Sequence, residues 1–235
     1  MSATYDFQDG RGPVPAHQHP NGGGWVADTA RVAASAFVGP GAQVSGAARV
    51  FGDAQVSGAA RVFGDARVFG AAQVFGAARV FGDARVFGAA QVFGAARVFG
   101  AARVFGAARV FGAAQVSGDA WVFGAAQVSG DAQVSGAAWV SGNAQVSGDA
   151  RVSSRRGCAQ IGPVGSRGDT LTLYRTADGH QYTTGCFAGS FDALRDAARA
   201  THGADSPIYA DYGAAAVALW RIVFPGVPVP ARGRP

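Results

Sequence analysis

The sequence predicts a mostly β protein: a triangular parallel β-solenoid of about seven 18-residue coils, closed at its C-terminal end by a small α+β cap. Three observations predict it. Valine returns at every sixth position from Val26 to Val152, 22 times in succession, and from Val32 on an alanine stands two residues before each. Glycine follows valine by two residues at 18 successive positions from Gly46 to Gly148. After residue 153 the rhythm stops, and the composition changes to one that reads as a hairpin followed by two helices.

Length and charge bound the rest. The repeat assigns over half of the 235 residues to one elongated module, leaving room only for something small. The basic side chains are all arginine, and the net charge of +5 serves solubility or attracts a polyanion equally well. No apolar run reaches the roughly 18 residues of a membrane-spanning helix, and the polar start MSATYDFQDGRG lacks the apolar core of a secretory signal. The expectation is a soluble cytoplasmic protein with no membrane partner. Cys158 and Cys186 lie outside the repeat, too few for a disulfide framework, and read as small free thiols.

Residues 1–24 carry GRGPVPAHQHPNGGG, a proline and glycine cluster that reads as irregular chain. In an extended segment His17 and His19 would share one side, but no third ligand stands nearby, and no metal site is assigned. The segment is expected to fold over the first coil and cover its open edge, as terminal caps of solenoids do.

Residues 25–153 repeat the unit A-x-V-x-G-x, as in Ala66, Arg67, Val68, Phe69, Gly70, Ala71. A period of six is three steps of strand alternation or nearly two helical turns, so residue type arbitrates. A helix would carry a glycine every six residues at about 1 kcal/mol each, which 18 glycines make untenable. Strand fits: alanine and valine two apart point to one side, and glycine turns the corner. Four residues of strand and two of corner close into a triangle of three hexads. Valine and alanine fill the prism, each buried valine contributing about 1.5 to 3 kcal/mol before entropy. At about 4.8 Å per coil, seven coils span roughly 34 Å.

The outward positions are informative because the fold does not require arginine or phenylalanine there. Sorted by 18, one face carries Phe51, Phe69, Phe87, Phe105 and Phe123 in a column, beside Arg49, Arg67, Arg85, Arg103, Trp121 and Trp139. A second has Phe63, Phe81 and Phe99 beside Arg61, Arg79 and Arg97. The third has Phe75, Phe93 and Phe111 beside Gln73, Gln91 and Arg109. Toward both ends serine replaces phenylalanine, confining the belt to the middle coils. Eleven outward phenylalanines would form a patch above the few hundred Å² that monomers tolerate. Three uses follow: rings stacking on one another and under guanidinium planes to stabilise the coil, lateral self-association, or a bound polymer. Rings interleaved with arginines at a fixed rise suit a single-stranded nucleic acid. Asp53, Asp65, Asp83, Asp119, Asp131 and Asp149 stand at corners where they would partly neutralise the arginines.

Val68 followed four positions later by Ala72, an aliphatic residue and then a small one, repeats along these hexads. In this the chain resembles the hexapeptide-repeat, left-handed β-helix superfamily, and the left hand is implied by that resemblance alone. Its enzymes, acyltransferases and a class of carbonic anhydrases, use histidines on or beside the coils and loops that break the repeat. Residues 25–153 hold no histidine, no cysteine and no insertion, so no catalytic residue is assigned there. The chain also resembles bacterial polymer-forming proteins of the bactofilin type, which stack end to end through open coils.

Residues 154–224 read as the α+β module. TLTLY at residues 170–174 alternates, and after the Ala177, Asp178, Gly179 turn residues 181–184 return as the second strand. Ser190 caps a helix through Phe191, Leu194 and Ala198 to His202, with Gly203 as its stop. A second helix over about 209–224 places Tyr209, Tyr212, Ala216, Leu219, Trp220 and Val223 on one side. The segment IGPVGSRGDTLTLYRTADGHQYTTGCF resembles a module that accompanies hexapeptide repeats in bacterial and prophage-encoded proteins. Residues 225–235 form a proline-rich tail expected to be disordered. Cys158, His180, Cys186 and His202 match no zinc-finger spacing, and Cys186 beside His180 as a nucleophile lacks a recognisable signature.

The sequence therefore points to a non-enzymatic structural or interaction protein without a cofactor. It presents the aromatic and arginine face for lateral self-association, as a homo-oligomer, or to a partner. The alternatives are an acyltransferase-like protein with a site at the junction with the C-terminal module, and binding of single-stranded nucleic acid or another polyanion along the ladders.

Overall fold

A computed structural model of the protein describes residues 3–177 and 179–230. The hexads wind into a parallel β-solenoid of about seven coils. Each supplies one short strand, Trp25–Ala27 through Arg151–Val152, 22 among the described residues, and these assemble into three sheets. Partners lie 18 residues apart: Arg67 faces Arg85, Val68 faces Val86 and Phe69 faces Phe87. Each coil hydrogen-bonds to the next, with Arg67 N donating to the Ala84 carbonyl and Arg85 N to that of Ala102, both at 2.9 Å. From Ala36 to Val152 every valine of the repeat, and the alanine two residues before it, is buried in one continuous core.

The corners explain the glycines. Gly88 adopts φ +71°, a left-handed conformation costing a side chain about 1–2 kcal/mol, and a Cβ there would lie 3.1 Å from the Gly106 nitrogen of the next coil. The corner backbones stack at the same interval as the strands, so conformation and space demand glycine together.

The N-terminal segment differs from the irregular chain expected of it. Strands Thr4–Tyr5 and Val14–Gln18 form an antiparallel hairpin that pairs with Trp25–Ala27 and extends one face of the prism. A proline and glycine cluster ordinarily marks a loop, and Pro15 within the second strand lacks an amide hydrogen. Its carbonyl still accepts from Asp28 N at 3.0 Å. Phe7, Ala16 and Ala27 form a small core under Tyr5 and Trp25, whose rings stack at 4.5 Å. A second face is met by Asn21 and Gly24: Gly24 N donates to the Val38 carbonyl, and Val38 N donates to that of Asn21. His17 and His19 have separate partners, His17 Nδ1 lying 2.8 Å from Asp28 while the buried His19 contacts Asn21.

At the other end four antiparallel strands, Cys158–Val164, Asp169–Arg175, His180–Thr184 and Phe187–Gly189, form a sheet with two different faces. One rests on the last coil. The Tyr174 ring joins the solenoid core and its hydroxyl meets Ser147, while Gln160 Nε2 donates to the Ser141 carbonyl and Thr183 Oγ1 to that of Gln145. Ala150 forms a bridge with Thr176, so contacts reach the last strand of every face. The opposite side of this sheet carries Leu171, Leu173 and Tyr182 against helices α1 (Phe191–His202) and α2 (Pro207–Val223). Ser190 caps α1 by accepting from Ala193 N, and Ser206 caps α2 ahead of Pro207. The start of the tail is held rather than free: Trp220 Nε1 donates to the Val227 carbonyl and Val229 packs on the helix core. Asp178 of the predicted turn and residues 231–235 of the predicted tail lie outside the described residues. Among the described residues no helix is long and apolar enough to cross a membrane.

Gly88→Ala should lower the unfolding free energy by about 1–3 kcal/mol in urea denaturation, since it combines left-handed strain with a clash against the next coil. Ala89→Ser, one residue along at the same exposed corner, should change it by less than about 0.5 kcal/mol.

Candidate functional site

The sheet built on Arg31, Arg49, Arg67, Arg85, Arg103, Trp121 and Trp139 brings together the residues marked by the sequence. Valine faces inward at every step, so its neighbours on either side face out. Phe69, Phe87, Phe105 and Phe123 form a continuous column, with centroids 4.8, 4.8 and 5.1 Å apart and planes within 4° of parallel. Trp121 and Trp139 stack at 5.4 Å and meet the column edge-on, Trp121 against Phe105 and Trp139 against Phe123. Phe51 stands at the start of the column and is 39% exposed; Trp139 at the far end is 37% exposed. The other two faces repeat the device with Phe63, Phe81 and Phe99, and with Phe75, Phe93 and Phe111.

Stacking changes what this surface can do. Rings inside the column have both faces covered by their neighbours, and all eleven except Phe51 are half-buried. The belt is therefore less apolar to solvent than a count of phenylalanines suggests. Between the ends of the columns it offers ring edges rather than open faces on which a base could stack.

Guanidinium groups lie on the rings at several points: Arg103 over Trp121 at 4.7 Å, Arg155 over Trp139 at 4.2 Å, and Arg109 between Phe93 and Phe111 at 5.5 Å from each. None of them is in an ion pair among the described residues. Among the described residues the ion pairs are Arg11 with Asp9 and His17 with Asp28, both outside the belt. The corner aspartates expected to offset the arginines make no ion pair with them. The reason is positional, because strand residues project from the flat of each face and corner residues from the vertices between faces.

The family model for the YdcK beta solenoid repeat matches residues 42–58, 60–76, 78–94, 114–130 and 126–142. The chain is a β-solenoid repeat protein. The matched segments cover about a third of the sequence, all inside the coils. No curated protein and no solved structure matches the chain.

In the C-terminal part, the thiol and histidine residues separate differently from the pairing weighed on sequence. His180 points into an aromatic cluster, 4.6 Å from the Trp220 ring and 6.0 Å from Phe224. Cys158 retains some surface, but its side chain packs on the solenoid core, and burial pushes its thiol up to about 12. The exposed Cys186 instead shares a cleft of about 330 Å³ with His202, Asp169, Arg167, Thr184 and Tyr212. Residues of the coils do not line it. Sequence reasoning missed this cleft because its walls come from two turns, three strand ends and two helices. The one signal was alternation, which places Asp169 on the same side as Leu171 and Leu173.

Two expectations follow. Phe87→Ala removes two ring contacts, each worth about 0.5–1.5 kcal/mol beyond buried area, and should destabilise by about 2–3 kcal/mol in urea denaturation. Phe51→Ala should cost less than half of that. Burial lowers the pKa of His180, so the unfolded chain takes up a proton at a higher pH than the folded one. Its contribution is complete above about pH 6.5 and is lost as pH falls through that value toward the lowered one. Melting followed by tryptophan fluorescence should show stability falling as the pH drops below about 6.5, and His180→Phe should reduce that fall.

Proposed function

We propose that the protein is a non-enzymatic interaction rod of the hexapeptide-repeat, bactofilin-like kind, and that its arginine and aromatic face receives an extended polyanion. One observation carries the reading: Arg49, Arg67, Arg85 and Arg103 stand in register on successive strands, with no carboxylate in ion-pair contact among the described residues. Unit charges about 5 Å apart repel by about 1 kcal/mol in water, and each added arginine repeats that cost. A polymer with negative charges at short intervals removes the repulsion and releases its own counterions. The rings keep the column rigid, so little ordering entropy is lost on binding. Because ring faces inside the columns are covered, recognition rests on charge rather than on base stacking, and the partner is defined by its anionic backbone.

A second reading, lateral self-association, is favoured by Phe51 and Trp139, the exposed aromatic residues at either end of the same face. Two such faces would bring like-charged columns together, so this contact strengthens as salt rises while polyanion binding weakens. The acyltransferase-like alternative calls for a histidine in a cleft against the last coil. His202 lines a cleft without coil residues and His180 lies on Trp220, which leaves that reading without support.

Fluorescence anisotropy of a labelled oligothymidylate, and competition by heparin, would test the proposal in the full-length protein. With four arginines engaged, log K should fall against log salt with a slope of about −3, since a single strand loses about 0.7 per neutralised phosphate. Arg67→Glu with Arg85→Glu should weaken binding more than tenfold and roughly halve the slope. Absence of binding at about 50 mM salt, or a slope unchanged by the double substitution, would overturn the reading. Sedimentation at low and high salt separates self-association from it.

A further inference from the structure

The cleft in the C-terminal sheet and helices is not used by the solenoid reading, and its chemistry is specific. On the helix-facing side of the sheet the strand Asp169–Arg175 presents Leu171 and Leu173, both fully buried. Alternation puts Asp169 next in that row, at the mouth. On the neighbouring strand the fully buried Tyr182 is followed on the same side by Thr184. Where the apolar layer reaches the cleft, the row thus changes from leucine and tyrosine to a carboxylate and a hydroxyl. Thr184 is 8% exposed, lines the cleft, and its Oγ1 finds no hydrogen-bond partner among the described residues. A buried hydroxyl left unpaired costs about 1–3 kcal/mol, and packing alone would be served better by valine.

The charges point the same way. Arg167, on the turn before Asp169, lines the same cleft, yet the two make no ion pair with each other. Asp169 lies instead toward Gly185, where a Cβ would stand 3.2 Å from its Oδ2. The last turn of α1, with Thr201 and His202, also borders the cleft and brings the partial negative charge of a helix C-terminus to it. Leu194 and Ala198 of α1 supply an apolar wall. A volume of about 330 Å³ suits a molecule of amino-acid size.

We propose that this cleft binds a small zwitterion of the aliphatic α-amino-acid class, its ammonium on Asp169 and Thr184, its carboxylate on Arg167 and its side chain against Leu194 and Ala198. Two opposite charges held apart on one wall are matched by a ligand that carries both. The site is independent of the arginine face, so either can fail without the other.

Calorimetric titration of the full-length protein with L-leucine tests it, with isoamylamine and 4-methylpentanoic acid as probes that each lack one charge. Saturable binding of leucine is expected, at least tenfold weaker for either probe, and lost in Asp169→Asn and in Arg167→Gln with melting temperature retained. Thr184→Val should melt at the same temperature or higher yet bind leucine more weakly, an outcome that separates a ligand contact from a structural one. Cys186 gives a second readout: saturating leucine should slow its alkylation by iodoacetamide at least threefold, while Cys158, whose thiol is pushed up to about 12, stays silent. Absence of saturable heat with leucine, valine and methionine, or equal binding of isoamylamine and leucine, would overturn the proposal.

Discussion

The structure depends on one spacing, the interval at which backbone hydrogen bonds hold each coil on the next. Every residue sits directly above its copy 18 positions away, so the interval acts on all side chains alike. For phenylalanine it is close to the ideal ring separation, and columns form on three faces. At the corners it leaves too little room for a Cβ, and the position is held by glycine. Arginine gains contact with the rings but accumulates like charge. Repeating one hexad multiplies both effects, so the gain in rigidity and the need for counter-charge come from the same geometry.

Much of this was legible in the residues. Val68 and Ala66 two apart, with Gly70 after them, determine the strand, the inward side and the corner, and a period of 18 then assigns every outward residue to its face. Ser190 and Gly203 delimit α1 because capping is local chemistry. What could not be read were features set by partners distant in sequence. TLTLY alternates as a strand with one wet face would, yet Thr172 and Tyr174 are as buried as Leu171 and Leu173 because the polar side caps the solenoid. The N-terminal hairpin hid behind Pro15, and the extra strands Cys158–Val164 and Phe187–Gly189 carry Gly and Pro that mask them. The outward direction of the rings was legible, but not how far stacking would bury them, nor that the corner aspartates would leave the arginines unpaired.

Both ends of the prism are engaged by their own chain. The hairpin pairs with the first strand of one face, and Gln160, Tyr174 and Thr183 meet the carbonyls of Ser141, Ser147 and Gln145 at the other end. Open strand edges invite further pairing, and at the N-terminal end these covers leave Arg31–Val32, the end of the arginine face, paired on one side only among the described residues. The flanks are where the sequence places its arginines and rings. The C-terminal sheet serves two purposes, one face closing the solenoid and the other forming, with α1 and α2, a cleft of different chemistry.

Residues 18 apart in adjacent coils being nearest neighbours is the premise of all of this. In a background with Cys158→Ala and Cys186→Ala, mild oxidation of the Phe69→Cys, Phe87→Cys pair measures it directly. In-register strands about 4.8 Å apart lie within the range a disulfide spans. The account predicts an intramolecular bond in this pair and none in Phe69→Cys, Phe81→Cys, whose positions lie on different faces. Bond formation in the second pair, or in neither, would contradict it.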